Sequence, residues 1–318
     1  MRCILIGNYG VGNIGDEALM AYFLRAFPDI DWIIVTASPK GEREVPRLPL
    51  GFRSFFRPWG KTLQAIARAD AVVFGGGSLF TDSESVFACV LWWWHASVAR
   101  LFRKPVFLAF QGVGPFRTSF AEWLARSAFR SAAFVSVRDS ASFRRVQLWN
   151  MHATPVQTFD PVFMLFARKK PVPSPKKILT IIPRGRSNDA FFTEVSLVSR
   201  RPFDQLRIVL MQPSAQERAM AERIKAAAPI ESVVVPVLSP EQLLDEISMS
   251  SQVITQRYHG ALAALAVGIP VTIVPQVSGD KLWELREMQH DPQKFAELLR
   301  RGEDAMAKAL PCAVHFLQ

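Results

Sequence analysis

Short runs of aliphatic and β-branched residues recur along the chain, separated by longer stretches in which apolar positions return every three or four residues. Arg2–Ile6, Trp32–Val35, Ala71–Phe74, Pro105–Phe110 and Phe134–Val137 read as strands, with patterns of helix length between them. The runs are continuously apolar rather than alternating, which marks strands covered on both faces and predicts βαβ units on a parallel sheet. A second series, at Ile178–Ile182, Leu206–Met211, Ser232–Val235, Gln252–Thr255 and Pro270–Val274, repeats the alternation. Between the two series, residues 167–177 (ARKKPVPSPKK) are polar, proline-rich and aperiodic, the composition of a linker. The expected organisation is a first βαβ domain over 1–166, the linker over 167–177 and a second βαβ domain over 178–318. Two closing helices, Pro292–Arg301 and Glu303–Leu310, are candidates to cross back onto the first domain.

In parallel sheets ligands collect at the carboxyl ends of the strands, so the loops there carry the functional reading. The first strand runs into Gly7-Asn8-Tyr9-Gly10-Val11-Gly12-Asn13-Ile14-Gly15, followed by Asp16 and Glu17, where the helix is expected to begin. Four glycines in nine positions suit a loop that brings backbone N–H groups against an anion at a helix N-terminus. Gly10 to Gly15 also fit the G-x-G-x-x-G dinucleotide pattern. The second strand, however, ends in Thr36, Ala37 and Ser38, with no carboxylate for a ribose. Further loops are expected at Gly75-Gly76-Gly77 through Asp82, at Gln111-Gly112-Val113-Gly114-Pro115 and at Arg138-Asp139. In the second series Pro183-Arg184-Gly185 follows the first strand, and Gln256-Arg257-Tyr258-His259-Gly260 follows the fourth and leads into a strongly helix-forming run. Arg257 and His259 thus fall at a helix N-terminus, where dipole and side chains act together on a phosphate.

Composition narrows the partners. The chain has 318 residues, 49% hydrophobic and 21% charged, with a net charge of +10, and so is globular with a preference for anions. Its basic residues are scattered and match no nucleic-acid module, so no nucleic-acid partner is expected. Residues 39–58, with Lys40, Arg43, Arg47, Arg53 and Arg57 among prolines, read as a basic flap or a mobile surface loop. Residues 85–102 are the most apolar stretch, but His95 and Arg100 interrupt them and they fall short of a membrane span. Trp92, Trp93 and Trp94 point about 100° apart on a helix, so they cannot all face one sheet. A helix packed between the sheet and a neighbour is expected, with contact to a membrane or a partner as the alternative and His95 as an interior residue. Cys3, Cys89 and Cys312 are odd in number and widely spaced, which favours packed thiols in a reducing compartment. No signal peptide is read ahead of the first strand. The expectation is a cytoplasmic protein, with loose peripheral attachment at the inner face of the membrane as a further hypothesis.

Gly10-Val11-Gly12-Asn13-Ile14-Gly15-Asp16-Glu17, Gly75-Gly76-Gly77 with Asp82, Gln111-Gly112-Val113-Gly114-Pro115, Val137-Arg138-Asp139, Arg257-Tyr258-His259-Gly260 and Gly279-Asp280-Lys281, in this order, resemble the polysaccharide pyruvyltransferase family. The resemblance implies an α/β fold of two Rossmann-like βαβ domains facing a cleft, GT-B-like. It also implies transfer of the enolpyruvyl carbons of phosphoenolpyruvate onto two hydroxyls of a sugar or lipid-linked oligosaccharide, forming a pyruvate ketal and releasing phosphate. That chemistry needs cations for a carboxylate and a phosphate, and a carboxylate to manage protons. Asp16 is the candidate base on the attacking hydroxyl, with Asp82 next in line. His259 is the candidate proton donor to phosphate and Arg138 a catalytic cation. Arg257, Gly12, Asn13, Gly76, Gly77, Asp82, Gln111, Gly112, Arg184 and Gly260 are expected to bind substrate. No metal-ligand spacing is present and the reaction requires no redox cofactor. Two alternatives stay open: a nucleotide-sugar glycosyltransferase of similar architecture, and a noncatalytic scaffold that binds carbohydrate or phosphate.

Overall fold

The first apolar run forms β1 (Arg2–Ile6), with every residue after Arg2 buried. It is followed by α1 (Ile14–Ala26), β2 (Asp31–Thr36), β3 (Glu44–Pro46), α2 (Gly60–Arg68), β4 (Ala71–Phe80), α3 (Val86–Leu101), β5 (Val106–Val113), α4 (Ser119–Arg130), β6 (Phe134–Val137), α5 (Ser140–Gln147) and β7 (Val156–Gln157). The second series comprises α6 (Val162–Phe166), β8 (Ile178–Ile182), α7 (Asp189–Ser199), β9 (Gln205–Leu210), α8 (Ala215–Ala227), β10 (Ser232–Pro236), α9 (Pro240–Ser248), β11 (Gln252–Thr255), α10 (Tyr258–Val267), β12 (Val271–Ile273), α11 (Lys281–Met288) and α12 (Pro292–His315). These elements come from a computed structural model that describes residues 1–315 apart from 52, 53, 55, 57, 84 and 277–280.

All strand pairs are parallel. The first sheet has the order β3-β2-β1-β4-β5-β6-β7 and the second β10-β9-β8-β11-β12. Strand order reverses between β1 and β4 and again between β8 and β11, and these are the switch points at which such sheets hold ligands. Chain contacts define two units, Met1–Val11 with Leu19–Pro161 and the chain from Ala296 on, and Gly12–Ala18 with Val162–Phe295. Ile4, Ile6, Phe74, Leu108 and Val135 centre the first core, and Leu179, Ile181, Leu206, Ile208 and Ile254 the second. Helix starts are written in side chains: Ser85, Thr118, Asp139, Asn188, Ser214 and Ser239 each accept an N–H from the first turn. Each such cap contributes about 1 kcal/mol.

Four local expectations are corrected. The glycine runs after the third and fourth strands are not loops: β4 continues through Gly75-Gly76-Gly77 to Phe80, and β5 continues to Val113. Phe80 pairs with Val113 across a register shift. Gly76 and Gly77 take φ of +79° and +86°, and the buried Leu79 and Phe80 draw the strand onward. Helix α1 begins at Ile14 rather than Asp16. The proline-rich segment after β2 contains β3 and is packed down from Glu44 to Leu50, while Pro39 to Arg43 are exposed. The Arg47 guanidinium donates to Asn8 Oδ1 and Tyr9 O, both at 3.1 Å, and lies over the Trp92 ring at 5.1 Å. Arg53 and Arg57 lie outside the described residues. The two expected closing helices are one, α12, which passes Gly302 against Thr158. A Cβ at Gly302 would stand 2.3 Å from Thr158 Oγ1.

Candidate active site

Helix α10 is apolar on nearly every side and is enclosed accordingly. Its first turn is set by Gly260, where a Cβ would come within 2.9 Å of Thr255 Oγ1 and 3.0 Å of Ile182 Cδ1. Glycine at this position lets the helix start against β8. Thr255 Oγ1 accepts the Arg257 N–H at 2.9 Å, fixing the turn from β11 into the helix, and Arg257 is the N-cap residue. Its guanidinium is ion-paired with Glu217, which is 1% exposed, and also reaches Gln212 Oε1 at 3.4 Å. Glu217 Oε2 accepts the Gln212 N–H at 2.9 Å. Arg257 is therefore a held cation, aimed by a buried carboxylate on the neighbouring strand-to-helix turn.

Two residues further on, the His259 ring packs against the backbone of Gly15. A Cβ at Gly15 would fall 2.1 Å from both Cε1 and Nδ1 of the ring, so only glycine admits this approach. Gly15 sits in the first turn of α1, which Asn13 caps by accepting the Gly15 N–H on Oδ1 at 3.1 Å. Asp16 follows in the same turn, 8% exposed. Gly12, just before the cap, takes φ +76° with open space where a Cβ would stand. It is the one glycine of the opening loop with both features; Gly7 makes room for the Tyr9 ring and Gly10 for Thr36. Residues 12–18 thus join His259 and Arg257 in the second unit. Nearby turns of that unit are tied together: Gln256 Nε2 donates to Asn188 Oδ1 at 2.7 Å and Gln276 Nε2 to the Arg186 carbonyl at 2.7 Å. Arg184 lies half-buried on the β8 turn, its N–H given to Ser187 Oγ. The Lys281 ammonium lies 4.9 Å from the Tyr258 ring centre, whereas Gly279 and Asp280 are outside the described residues.

The remaining predicted residues belong to the first unit, and the structure shows the contacts each makes there. Arg138, expected as a catalytic cation, is 3% exposed and ion-paired with Asp160, which is fully buried. Its Nη2 donates to Ser78 Oγ at 3.1 Å, and the guanidinium lies over Gly112, where a Cβ would meet it at 3.2 Å. A buried guanidinium needs a countercharge, and Asp160 supplies it. Asp82, the reserve base, accepts from Arg117 N–H (2.6 Å), Thr118 N–H (2.9 Å) and Thr118 Oγ1 (2.8 Å) and so pins the start of α4. Burial pushes its carboxyl up, but these bonds prevail and hold it below the usual carboxylate range. Gln111, expected to meet substrate, is fully buried and donates to the Phe74 and Ala109 carbonyls, bracing β4 against β5. Gly76 packs on Leu19. Asp139 is an N-cap. Glu217 and Asp160 escaped the sequence reading. Glu217 sits in a Ser-x-x-Glu capping pattern, which explains it locally, and Asp160 shows only an Asp-Pro turn. Among the described residues no cluster of three or more His, Cys, Asp or Glu is placed to hold a metal.

Two parallel Rossmann-like sheets, each with a switch point, place the molecule in the GT-B class. UDP-N-acetylglucosamine 2-epimerase from Rickettsia bellii shares the fold at a TM-score of 0.59 and 12% identity, covering 100% of this chain and 98% of that one. MnaA from S. aureus, solved with UDP, gives 0.55 and 12% over 96% and 90%, and Anabaena HepE with UDP gives 0.53 and 12% over 100% and 98%. No curated protein matches the chain significantly. The profile of the family described as polysaccharide pyruvyl transferase matches residues 13–276, and the chain belongs to that family.

Proposed function

We propose that the protein transfers the enolpyruvyl carbons of phosphoenolpyruvate onto two hydroxyls of a sugar, forming a pyruvate ketal for a cell-surface polysaccharide. The observation that carries this is the packing of Gly15 on His259. It joins the carboxylate turn of α1 to the cationic start of α10 within one unit of a pyruvyl transferase family member. In this reading Arg257, Arg184 and the N–H groups opening α10 bind the donor's phosphate and carboxylate. Protonation of the methylene carbon makes an oxocarbenium-like centre that the first hydroxyl attacks, with Asp16 taking its proton. His259 protonates the departing phosphate, whose loss regenerates that centre. The second hydroxyl closes the ring and returns a proton to His259, while the proton Asp16 takes balances the one spent on the methylene carbon. The sequence is redox-neutral and needs no redox cofactor. The acceptor is a sugar or lipid-linked oligosaccharide, met in the cytoplasm at the inner face of the membrane.

The test is incubation of the purified protein with phosphoenolpyruvate and a panel of lipid-linked and aryl glycosides, following phosphate release and the ketal by mass spectrometry. A parallel arm supplies UDP-sugars, because structures of similar fold include a UDP-GlcNAc 2-epimerase from Neisseria meningitidis bound to UDP-GlcNAc. Transfer from a UDP-sugar with no phosphate released from phosphoenolpyruvate overturns the proposal.

A further inference from the structure

Helix α3 carries Phe87, Val90, Trp94 and Leu101 at spacings that 100° per residue gathers into one stripe. Three of the four stay out of the core: Phe87 is 73% exposed, Leu101 79% and Trp94 is exposed, while Val90 is half-buried against Cys89, Ala121 and Leu124. The opposite face, with Cys89, Trp92, His95, Ala96 and Ala99, is the one that is buried, so the fold does not need the exposed three. Helix α4 lies alongside, joined through Cys89, Ala121 and Leu124. It adds Phe120 and Trp123, 54% and 57% exposed and stacked at 6.2 Å, and the Trp93 ring 6.4 Å from Trp123 links them to the stripe. Solvated aromatic surface gathered to this extent marks an interaction site.

The charge around it is one-sided. From Val86 to Arg130 the only acidic residue is Glu122, against Arg100, Arg103, Lys104, Arg117, Arg126 and Arg130. Arg126 and Arg130 are exposed and continue the α4 row that Trp123 begins. A second copy docked symmetrically would set these cations against themselves. An anionic bilayer answers both features, since aromatic rings settle at headgroup depth and guanidinium groups meet lipid phosphates. No helix among the described residues is long and apolar enough to cross a membrane, so the contact is peripheral. We propose that the outer face of α3 and α4 seats on an anionic membrane surface. This rests on the proposed membrane location alone, not on the ketal chemistry.

Co-sedimentation with vesicles of phosphatidylcholine, with and without phosphatidylglycerol, tests it using the full chain, a Trp94→Ser/Phe120→Ser/Trp123→Ser variant and an Arg126→Glu/Arg130→Glu variant. All the replaced side chains are exposed, and circular dichroism checks that the fold is kept. The wild type should pellet with the phosphatidylglycerol vesicles at low ionic strength and be released by salt. Each variant should lose about tenfold or more in partitioning. Wild-type protein left in the supernatant, or an aromatic variant that pellets as well as wild type, overturns the assignment. So does a dimer by light scattering that the aromatic substitutions abolish. Turnover on a soluble aryl glycoside should be unchanged in both variants; if wild type shows no ketal formation yet pellets, the membrane face stands and the reaction falls.

Discussion

Because Asn13 caps α1, Asp16 is left in the first turn, beside the glycine that meets His259. Asp16 therefore lies past the N-cap position, where a capping role and a proton-accepting role make different predictions. Asp16→Asn should leave the melting temperature and phosphoenolpyruvate affinity close to wild type while ketal formation drops by about 10²-fold or more, the usual worth of a positioned base. Turnover within a few-fold of wild type would return Asp16 to a structural part. Arg257 calls for a different design, because truncating it strands the buried Glu217 carboxylate. Arg257→Ala should cost about 3 kcal/mol of stability as well as donor affinity. Adding Glu217→Gln should restore most of the stability and none of the affinity, read by urea unfolding and calorimetric titration. A double variant no more stable than the single one would deny Glu217 its part in aiming Arg257. The Arg-Tyr-His-Gly turn was legible in sequence because strand, charge and helix signal are contiguous there. Glu217 and Asp160 were not, since each acts on a residue from another turn and only the fold brings the pair together.

At the scale of elements, the parallel strands were legible to within a few residues because burial on both faces leaves uninterrupted apolar runs. β4 and β5 were read short. Glycine was taken as punctuation, whereas positive φ at Gly76 and Gly77 lets β4 shift register and continue. β3 was missed for the reverse reason: three residues among prolines show no period, and only pairing with β2 makes them a strand. The segment after β3 is fastened by a residue the sequence did place in the interior. His95 is fully buried on α3, accepting the Leu48 N–H on Nε2 at 2.9 Å and facing the Leu91 carbonyl across Nδ1 at 2.8 Å. Burial lowers its pKa from 6.5 to about 4, with the Leu91 carbonyl opposing and Arg47 adding to the fall. Between those values the unfolded chain takes up a proton that the folded one refuses. This contribution to stability is therefore intact above about pH 6.5 and is lost as pH falls toward 4. On the order of 2 kcal/mol should be gone by pH 5. His95→Gln should lower stability at pH 7 yet flatten the slope between pH 7 and 5, measured by urea unfolding at each pH. An undiminished slope would place the titrating group elsewhere.

Across the whole molecule, two sheets with two separate cores predict two unfolding transitions rather than one, and the chain supplies its own means of telling them apart. Every tryptophan except Trp283 lies in the first unit, so tryptophan emission follows that unit while calorimetry registers both. The proposed donor contacts, Arg184, Arg257 and His259, and the proposed base Asp16 all belong to the second unit. Arg138, also expected as a cationic contact, lies in the first unit, ion-paired with Asp160. A ligand stabilises the unit that binds it, by about 2.7 kcal/mol at a hundred times its Kd. Phosphoenolpyruvate should therefore raise by several degrees the transition to which only Trp283 contributes emission, and leave the main emission midpoint nearly still. The net charge of +10 provides the control, because any anion weakly relieves self-repulsion across the molecule. Sulfate at matched ionic strength should move both transitions slightly and together. His259→Asn should abolish the selective shift and keep the general one. If phosphoenolpyruvate instead moves the emission midpoint alone, the donor sits on the first sheet, and the assignment of its contacts to α10 and the α1 turn is wrong.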